Sequence, residues 1–127
     1  MALNVLHFMH QGRARWGVVR ERKITPVPGS FVTTADFLRA NPLAALKQLT
    51  GPTLDEPQVE WLSPVTRNQQ FVCQGANYRQ HMIESGMNPD AKVFNMFFEK
   101  ADCSVSPPHG SVTRPAHVAL LDYEIEL

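Results

Sequence analysis

Hydrophobic and polar positions alternate through the first part of the chain, as they do along strands with one buried face. LNVLHFMH, from Leu3 to His10, and RWGVVR, from Arg15 to Arg20, are short β-type runs joined by the turn-prone QGRA. KITPV continues the series until PGS, at Pro28 to Ser30, interrupts it. The pattern therefore predicts a meander of three strands at the start of the chain.

Two short helices are predicted next. TTADFLRA opens with a threonine that can cap a helix, and Asp36 falls in the first turn, where an acid suits the helix dipole. In NPLAALKQLTG, we expect Asn41 to be the N-cap and Pro42 the first helical residue. Gly51 is expected to follow directly after the C-terminal end of this second helix.

A second series of predicted elements follows a proline-containing passage, in which WLSPV is a short candidate strand. FVCQG is typical of a buried strand, and NYRQHMIESG of a short helix with Asn77 as N-cap and Gly86 beyond its end. FNMFFEK, from Phe94 to Lys100, and the closing LLDYEIEL are predicted strands. The predicted fold class is α+β, with an N-terminal α+β domain over residues 1–66 and a second domain starting at residue 67.

Charge and composition narrow the class of protein. Twelve basic residues balance twelve acidic ones, and no basic run favours nucleic acid or an anionic membrane surface as a partner. No apolar run approaches the roughly 18 residues of a spanning helix. Cys73 and Cys103 lack the CxxC spacing, so we expect two free thiols in a reducing compartment. These features predict a cytoplasmic protein.

The closing strand carries acidic residues at alternate positions. Asp122, Glu124 and Glu126 would project from one face of the strand, with neighbouring Cβ atoms about 6.5 to 7 Å apart. Oxygen-only ligands of this kind favour Mg²⁺, Mn²⁺ or Ca²⁺ over zinc. The same alternation is also typical of a strand with one solvated face. Three like charges in a row nevertheless repel one another unless a positive group lies opposite.

A second group of candidates lies on the predicted helix and the strand after it. His81 and Glu84 are three residues apart and so share one helical face, where the carboxylate could orient the imidazole to activate water. An exposed ion pair on a short helix has the same spacing. Lys100, at the end of FNMFFEK, could bind the oxyanion or carboxylate of a substrate, or could simply end the strand in solvent.

The order of these motifs resembles that of the fumarylacetoacetate hydrolase family. Members typically show a strand ending in C-x-G-x-N-Y, a nearby H-x-x-E helix, an F-x-K strand and a D-Y-E-x-E-L strand. The corresponding residues here are those from Cys73 to Tyr78, His81 with Glu84, Phe98 to Lys100, and Asp122 to Leu127. The resemblance covers roughly residues 70–127, and the first 66 residues are similar to the smaller, variable N-terminal domain of many members.

The resemblance implies a fold and a cofactor. Residues 67–127 would form the first part of a β-rich roll, and the full-length protein would be a homodimer. Glu124 and Glu126 would be two of three carboxylate ligands of Mg²⁺ or Mn²⁺, with Asp122 in a supporting role. Gln74 stands where some relatives place an aspartate ligand. The third ligand would come from a later strand, so the 127 residues are expected to be part of a longer enzyme.

The resemblance also implies an activity. His81 and Glu84 would form the catalytic pair that activates water, and Lys100 and Tyr78 would bind a small keto acid substrate. The expected enzyme is a metal-dependent hydrolase of a C–C bond in a diketo or oxo-enol carboxylic acid. An isomerase, hydratase or decarboxylase of the same family is the alternative, and a non-catalytic module that associates through an exposed sheet edge is a third.

Overall fold

The computed structural model describes residues 2–66, 69–91, 93–119 and 121. Within these ranges the chain is α+β, as predicted, with a five-stranded antiparallel sheet, a two-stranded antiparallel ribbon and three short α-helices. The sheet has the order β4-β3-β2-β1-β5. Its strands are β1 (Asn4–His10), β2 (Arg13–Arg20), β3 (Lys23–Pro26), β4 (Leu54–Asp55) and β5 (Glu60–Leu62).

The predicted meander forms the centre of this sheet. β1 pairs with β2 from Asn4 opposite Val19 to His10 opposite Arg13, and β2 pairs with β3 from Gly17 opposite Pro26 to Arg20 opposite Lys23. Each hairpin turns through two residues with positive φ. Such two-residue loops match the right-handed twist of the flanking strands, which explains how both turns stay so short.

The helix α1 (Thr34–Ala40) begins as the sequence predicts. The Thr33 hydroxyl accepts a hydrogen bond from the Asp36 backbone N–H at 3.0 Å, and Asp36 lies in the first turn. This bond satisfies one of the N–H groups that a helix start leaves without an intrahelical partner. The cap therefore fixes where the chain leaves the loop and enters α1.

The bounds predicted for the next helix were wrong at both ends, since α2 spans Leu43–Gln48. Asn41 instead closes α1, donating from Nδ2 to the Phe37 carbonyl at 2.8 Å, and Pro42 is the N-cap of α2. At the other end, Arg20 donates to the carbonyls of Leu46, Lys47 and Leu49. Because this guanidinium satisfies the terminal carbonyls, the helix ends without a glycine cap, and Gly51 lies three residues beyond it.

The core lies on both faces of the five-stranded sheet. On one face the buried cluster consists of Trp16, Val18, Val27, Phe37 and Leu46, and on the other it consists of Leu6, Phe8 and Ile24. The Trp16 ring stacks between His7 and Phe37, with centroids 4.5 and 4.4 Å away. The stack ties α1 to the centre of the sheet, because Phe37 is a residue of that helix.

The remaining strands form a separate ribbon. β6 (Phe71–Gly75) pairs antiparallel with β7 (Met96–Lys100), from Phe71 opposite Lys100 to Gly75 opposite Met96. β7 begins two residues later than predicted, and all five of its residues are exposed. The predicted strand LLDYEIEL falls on residues of which only Leu121 is described. The domain boundary near residue 66 and the β-roll stay predictions. No helix in the described ranges is both long and apolar enough to cross a membrane.

Candidate functional site

The helix α3 (Arg79–Glu84) carries the H-x-x-E motif and begins four residues after the last residue of β6, Gly75. Asn77 was predicted as its N-cap, but the cap is Tyr78. Tyr78 still has extended backbone angles, while its carbonyl already accepts from the Met82 N–H at 3.1 Å. The prediction was wrong by one residue, because Tyr78 still has extended backbone angles and the helix begins only after it.

The C-terminal end of α3 is closed by glycine, as predicted. Gly86 has φ +73 and donates to the Ile83 carbonyl at 3.0 Å, while Met87 donates to the Met82 carbonyl at 2.8 Å. These two bonds form a Schellman motif. A helix of six residues is not stable by itself in water, so its shape depends on this closure and on the buried Met82 side chain, which is 7% exposed.

The structure places His81 and Glu84 on the same turn of α3, as the spacing predicts. His81 is half-buried and Glu84 is exposed. Gln80 lies one turn before Glu84 and donates from its side-chain amide to the Glu84 carboxylate at 2.8 Å. The carboxylate is thus oriented from within its own helix. The catalytic roles of His81 and Glu84 remain predictions.

Tyr78 and Lys100, the two predicted substrate contacts, lie at opposite ends of the ribbon. Tyr78 follows β6 at its Gly75 end and is 44% exposed. Lys100 is opposite Phe71, four residues from that end, which is about 13 Å along a strand. Its ammonium lies 6.0 Å from the centre of the Phe98 ring. The structure therefore groups Tyr78 with His81 and Glu84 and places Lys100 at the far end of β7.

An ion pair that the sequence analysis missed fastens α3 to the loop after it. The Arg79 guanidinium meets the Asp90 carboxylate through two bonds, with Nη1–Oδ1 at 2.7 Å and Nη2–Oδ2 at 3.0 Å. The Asn88 side chain also accepts from the Asp90 backbone N–H at 3.0 Å, which shapes the turn. The Asn-Pro-Asp turn signal was visible in the sequence, but its pairing with Arg79 depends on the path of the loop.

This ion pair shifts the pKa of both partners, Arg79 and Asp90. The hydrogen bond from Arg79 lowers the pKa of the Asp90 carboxyl, and the same bond raises the pKa of the Arg79 guanidinium. In both groups the small desolvation effect acts in the opposite direction. The charged forms are favoured because each N–H donor meets a carboxylate oxygen in a parallel, two-bond geometry.

We expect the Arg79–Asp90 pair to stabilise the folded chain only while Asp90 is ionised. Folding lowers the pKa of Asp90. The contribution of the pair to the free energy of unfolding is therefore complete above the ordinary aspartate pKa of about 3.9, and it is lost as the pH falls through the lowered pKa. The carboxyl carbon shift of Asp90, followed by NMR against pH, should titrate below that of a free aspartate. In Arg79→Gln it should return toward the ordinary value.

The melting temperature gives an independent check on this pair. Asp90→Asn should melt below the unmodified chain at neutral pH, and the difference should shrink as the pH falls below the lowered pKa. Asp102→Asn is the matched control, since Asp102 is exposed and has no ion pair among the described residues. An equal effect of both substitutions would contradict a specific role for the pair.

The predicted metal ligands Glu124 and Glu126, and the supporting Asp122, lie outside the described residues. Within the described part of the chain, no three His, Cys, Asp or Glu side chains are grouped closely enough to hold a metal ion. Cys73 is half-buried in β6 and Cys103 is exposed, and both are free thiols, as predicted. The part of the candidate site that the structure describes therefore consists of α3 and the ribbon of β6 and β7.

Comparison with known families decides what kind of segment this is. Residues 70–127 match the family described as fumarylacetoacetate (FAA) hydrolase C-terminal. Over these residues, the chain belongs to the fumarylacetoacetate hydrolase family. The matched range contains β6, α3 and β7, and so includes the helix with His81 and Glu84. The resemblance drawn from the order of the motifs is confirmed.

Several curated members of the family are similar to this chain. The mitochondrial oxaloacetate tautomerase FAHD2A of Homo sapiens is 34% identical over 76 residues, and Fahd2a of Rattus norvegicus is 30% identical over 76 residues. Both matches cover 60% of this chain and 24% of the relative. FAHD2A of Bos taurus is 26% identical over 123 residues, which cover 97% of this chain and 31% of the relative.

These matches set the extent of the similarity. The chain spans about a quarter to a third of the length of the curated relatives it matches. The match to the Bos taurus protein extends beyond the family segment into the five-stranded sheet, because it covers 97% of the chain. No solved structure matches the chain significantly.

Proposed function

We propose that the chain serves in a metal-dependent enzyme that interconverts the keto and enol forms of a small oxo acid, with oxaloacetate as the first candidate. The observation that carries this proposal is the match over 97% of the chain to a relative named as an oxaloacetate tautomerase. The other two relatives have the same activity in their names. An isomerase was the alternative to hydrolysis in the sequence analysis, and these names favour it.

The chemistry required is a proton transfer at the carbon next to a carbonyl. His81 would take the proton from this carbon as a general base, and would return a proton to the substrate oxygen as the enol forms. Glu84 would hold the imidazole in the orientation that this transfer needs. The half-buried position of His81 on a helix closed at its C-terminal end supports the role, since a base must be fixed relative to the reacting carbon.

The cofactor proposed is Mg²⁺ or Mn²⁺, with Ca²⁺ as a further option. Glu124 and Glu126 would hold it, and their oxygen-only donor set fits a hard divalent cation. When bound, such an ion polarises the oxo group and stabilises the negative charge of an enolate. Tyr78 and Lys100 would contact the remainder of the substrate, and the ammonium of Lys100 suits one of its carboxylates.

Hydrolysis of a C–C bond, the activity expected from the sequence, stays a prediction. It shares with tautomerisation the formation of an enolate next to a carboxylate. The difference is that a hydrolase must also direct a water molecule at the carbonyl, whereas a tautomerase needs only the proton transfer. A comparison of the two reactions in one preparation therefore separates the two proposals. The homodimeric state is likewise proposed for the enzyme as a whole.

The test uses the protein as its own gene encodes it. Freshly dissolved enol oxaloacetate is supplied with Mg²⁺, and the decay of the enol absorbance is compared with the uncatalysed rate. A parallel assay with an acylpyruvate measures carboxylic acid released by C–C cleavage. We expect tautomerisation to be accelerated, to stop when EDTA removes the metal, and to resume on addition of Mg²⁺ or Mn²⁺. Acid release without accelerated tautomerisation would favour the hydrolase, and the absence of both activities would refute the proposal.

A further inference from the structure

Glu84 lies between two other side chains of α3. Successive residues of an α-helix are about 100° apart around its axis, so Gln80 lies about 40° to one side of Glu84 and His81 about 60° to the other. Helical side chains also lean toward the N-terminus, so the Glu84 carboxylate reaches back over the turn that carries Gln80 and His81. A carboxylate in this position can meet a different neighbour with each of its two oxygens.

One of these two oxygens is engaged by Gln80. The side-chain amide of Gln80 donates from Nε2 to Oε1 of Glu84 at 2.8 Å, the length of a good hydrogen bond to a carboxylate. The second oxygen, Oε2, accepts no hydrogen bond from another residue in the described part of the chain. The Glu84 side chain is thus held on the Gln80 side and keeps an acceptor for a further donor.

The backbone that carries this hydrogen bond is fixed at both ends of α3. Arg79, the residue before Gln80, is joined to Asp90 by two bonds, and the Gly86 closure completes the other end. The Met82 side chain is 7% exposed and anchors the helix between them. Because Gln80 and Glu84 stand one turn apart on this fixed backbone, the amide holds the carboxylate in a defined direction.

The neutral amide also leaves the charge of Glu84 intact. Arg79 is the only lysine or arginine of α3, and its guanidinium is already occupied by both oxygens of Asp90. The donor that holds Glu84 is therefore uncharged. The full negative charge of the carboxylate remains to favour the protonated form of a nearby imidazole.

We propose that Gln80 is a positioning residue for the proton transfer, holding one oxygen of Glu84 so that the other can accept from the His81 imidazole. Glu84 is exposed, so without this hold its side chain would move among several rotamers. Gln80 acts through Glu84 and does not touch the substrate. The inference rests on the keto–enol activity proposed above and adds a residue to that site.

The kinetic test uses the protein as its own gene encodes it, in the enol oxaloacetate assay with saturating Mg²⁺. Gln80→Met removes the donor but keeps the length and the helix propensity of the side chain. It should lower kcat by about three- to tenfold and change KM by less than about twofold, because Glu84 orients the base and does not hold the substrate. Gln80→Glu should lower kcat further, since carboxylates four residues apart on a helix repel each other.

The pH profile separates positioning from a merely structural role. Gln80→Met should move the acid limb of the kcat/KM profile to lower pH, because a carboxylate that turns away no longer favours the protonated imidazole. Gln80→Glu should move the same limb to higher pH, because it adds a second negative charge near His81. Arg79 and Asp90, the other charged groups of this segment, stay paired with each other in both variants. A general loosening of α3 would not produce shifts of opposite sign.

Gln48→Met is the matched control. Gln48 is the last residue of α2, is exposed, and makes no side-chain hydrogen bond to another described residue. This variant should leave kcat, KM and the pH profile unchanged. A Gln80→Met variant that also keeps its full kcat, or that loses only in KM, would overturn the inference.

An NMR comparison tests the hold without any activity. The side-chain amide signals of Gln80 should shift in Glu84→Ala, whereas those of Gln48 should not, and an unmoved Gln80 signal would overturn the inference. Failure of the unmodified protein to accelerate tautomerisation would refute the proposed function, and the catalytic role of Gln80 with it. Full kcat in Gln80→Met, in a preparation whose unmodified protein is active, would refute the role of Gln80 alone.

Discussion

Replacement of His81 by alanine is expected to lower kcat/KM for keto–enol interconversion by about 10²- to 10⁴-fold, the usual contribution of a general base. The loss should fall mainly on kcat, because the imidazole moves a proton in the transition state and is not the group that holds the substrate. The measurement is the initial rate of enol oxaloacetate decay with saturating Mg²⁺, compared with that of the unmodified protein at several substrate concentrations.

Two control variants make this result specific. His117→Ala removes an exposed histidine from the loop after Pro115 and should leave the rate unchanged. Glu84→Gln should lower kcat less than His81→Ala does and should alter the pH profile, since Glu84 acts through the imidazole. Circular dichroism should show that all three variants remain folded. Full activity in a folded His81→Ala variant would exclude His81 as the base.

Replacement of Phe37 by alanine is expected to destabilise the chain by about 3–5 kcal/mol, the usual cost of removing a buried aromatic ring. Phe37 is 1% exposed, and its ring stacks on Trp16 with centroids 4.4 Å apart and planes within 9°. The substitution leaves a cavity between α1 and the sheet. The melting temperature should fall by about 10–20 °C for a chain of this size.

The neighbouring residue supplies the control for Phe37. Leu38 lies on the same helix but is 62% exposed, so Leu38→Ala should change stability by no more than about 0.5 kcal/mol. Phe37→Leu, which keeps most of the apolar volume, should cost less than Phe37→Ala. Similar melting temperatures for Leu38→Ala and Phe37→Ala would contradict the packing of α1 on Trp16.

Local pattern was enough to predict most elements, but it failed where a distant residue sets the end of a helix. The meander, α1, β6 and the glycine closure of α3 were predicted because alternation and capping act over a few neighbouring positions. The end of α2 was wrong because Arg20, 26 to 29 residues earlier, satisfies the terminal carbonyls. Helix propensity carries no information about such a partner.

In the candidate site, too, local features were predicted correctly and contacts between distant residues were missed. His81 and Glu84 could be placed on one helical face from their spacing, and the order of four motifs was enough to find the family. The Arg79–Asp90 pair was missed, because it forms only when the loop after α3 folds back to the start of the helix. The position of Lys100 at the far end of the ribbon follows from strand register, which the pattern of FNMFFEK leaves open.

By itself, the sequence determined the fold class, the family and the residues that bear the expected chemistry, because these depend on residue type and local spacing. Tertiary structure decided which charged groups are paired and which remain available. Arg79 looks like any solvated arginine on a short helix until the loop after α3 brings the Asp90 carboxylate within 2.7 Å of it. Pairing requires groups from distant positions to meet within about 3 Å, and only the folded path of the backbone sets those distances.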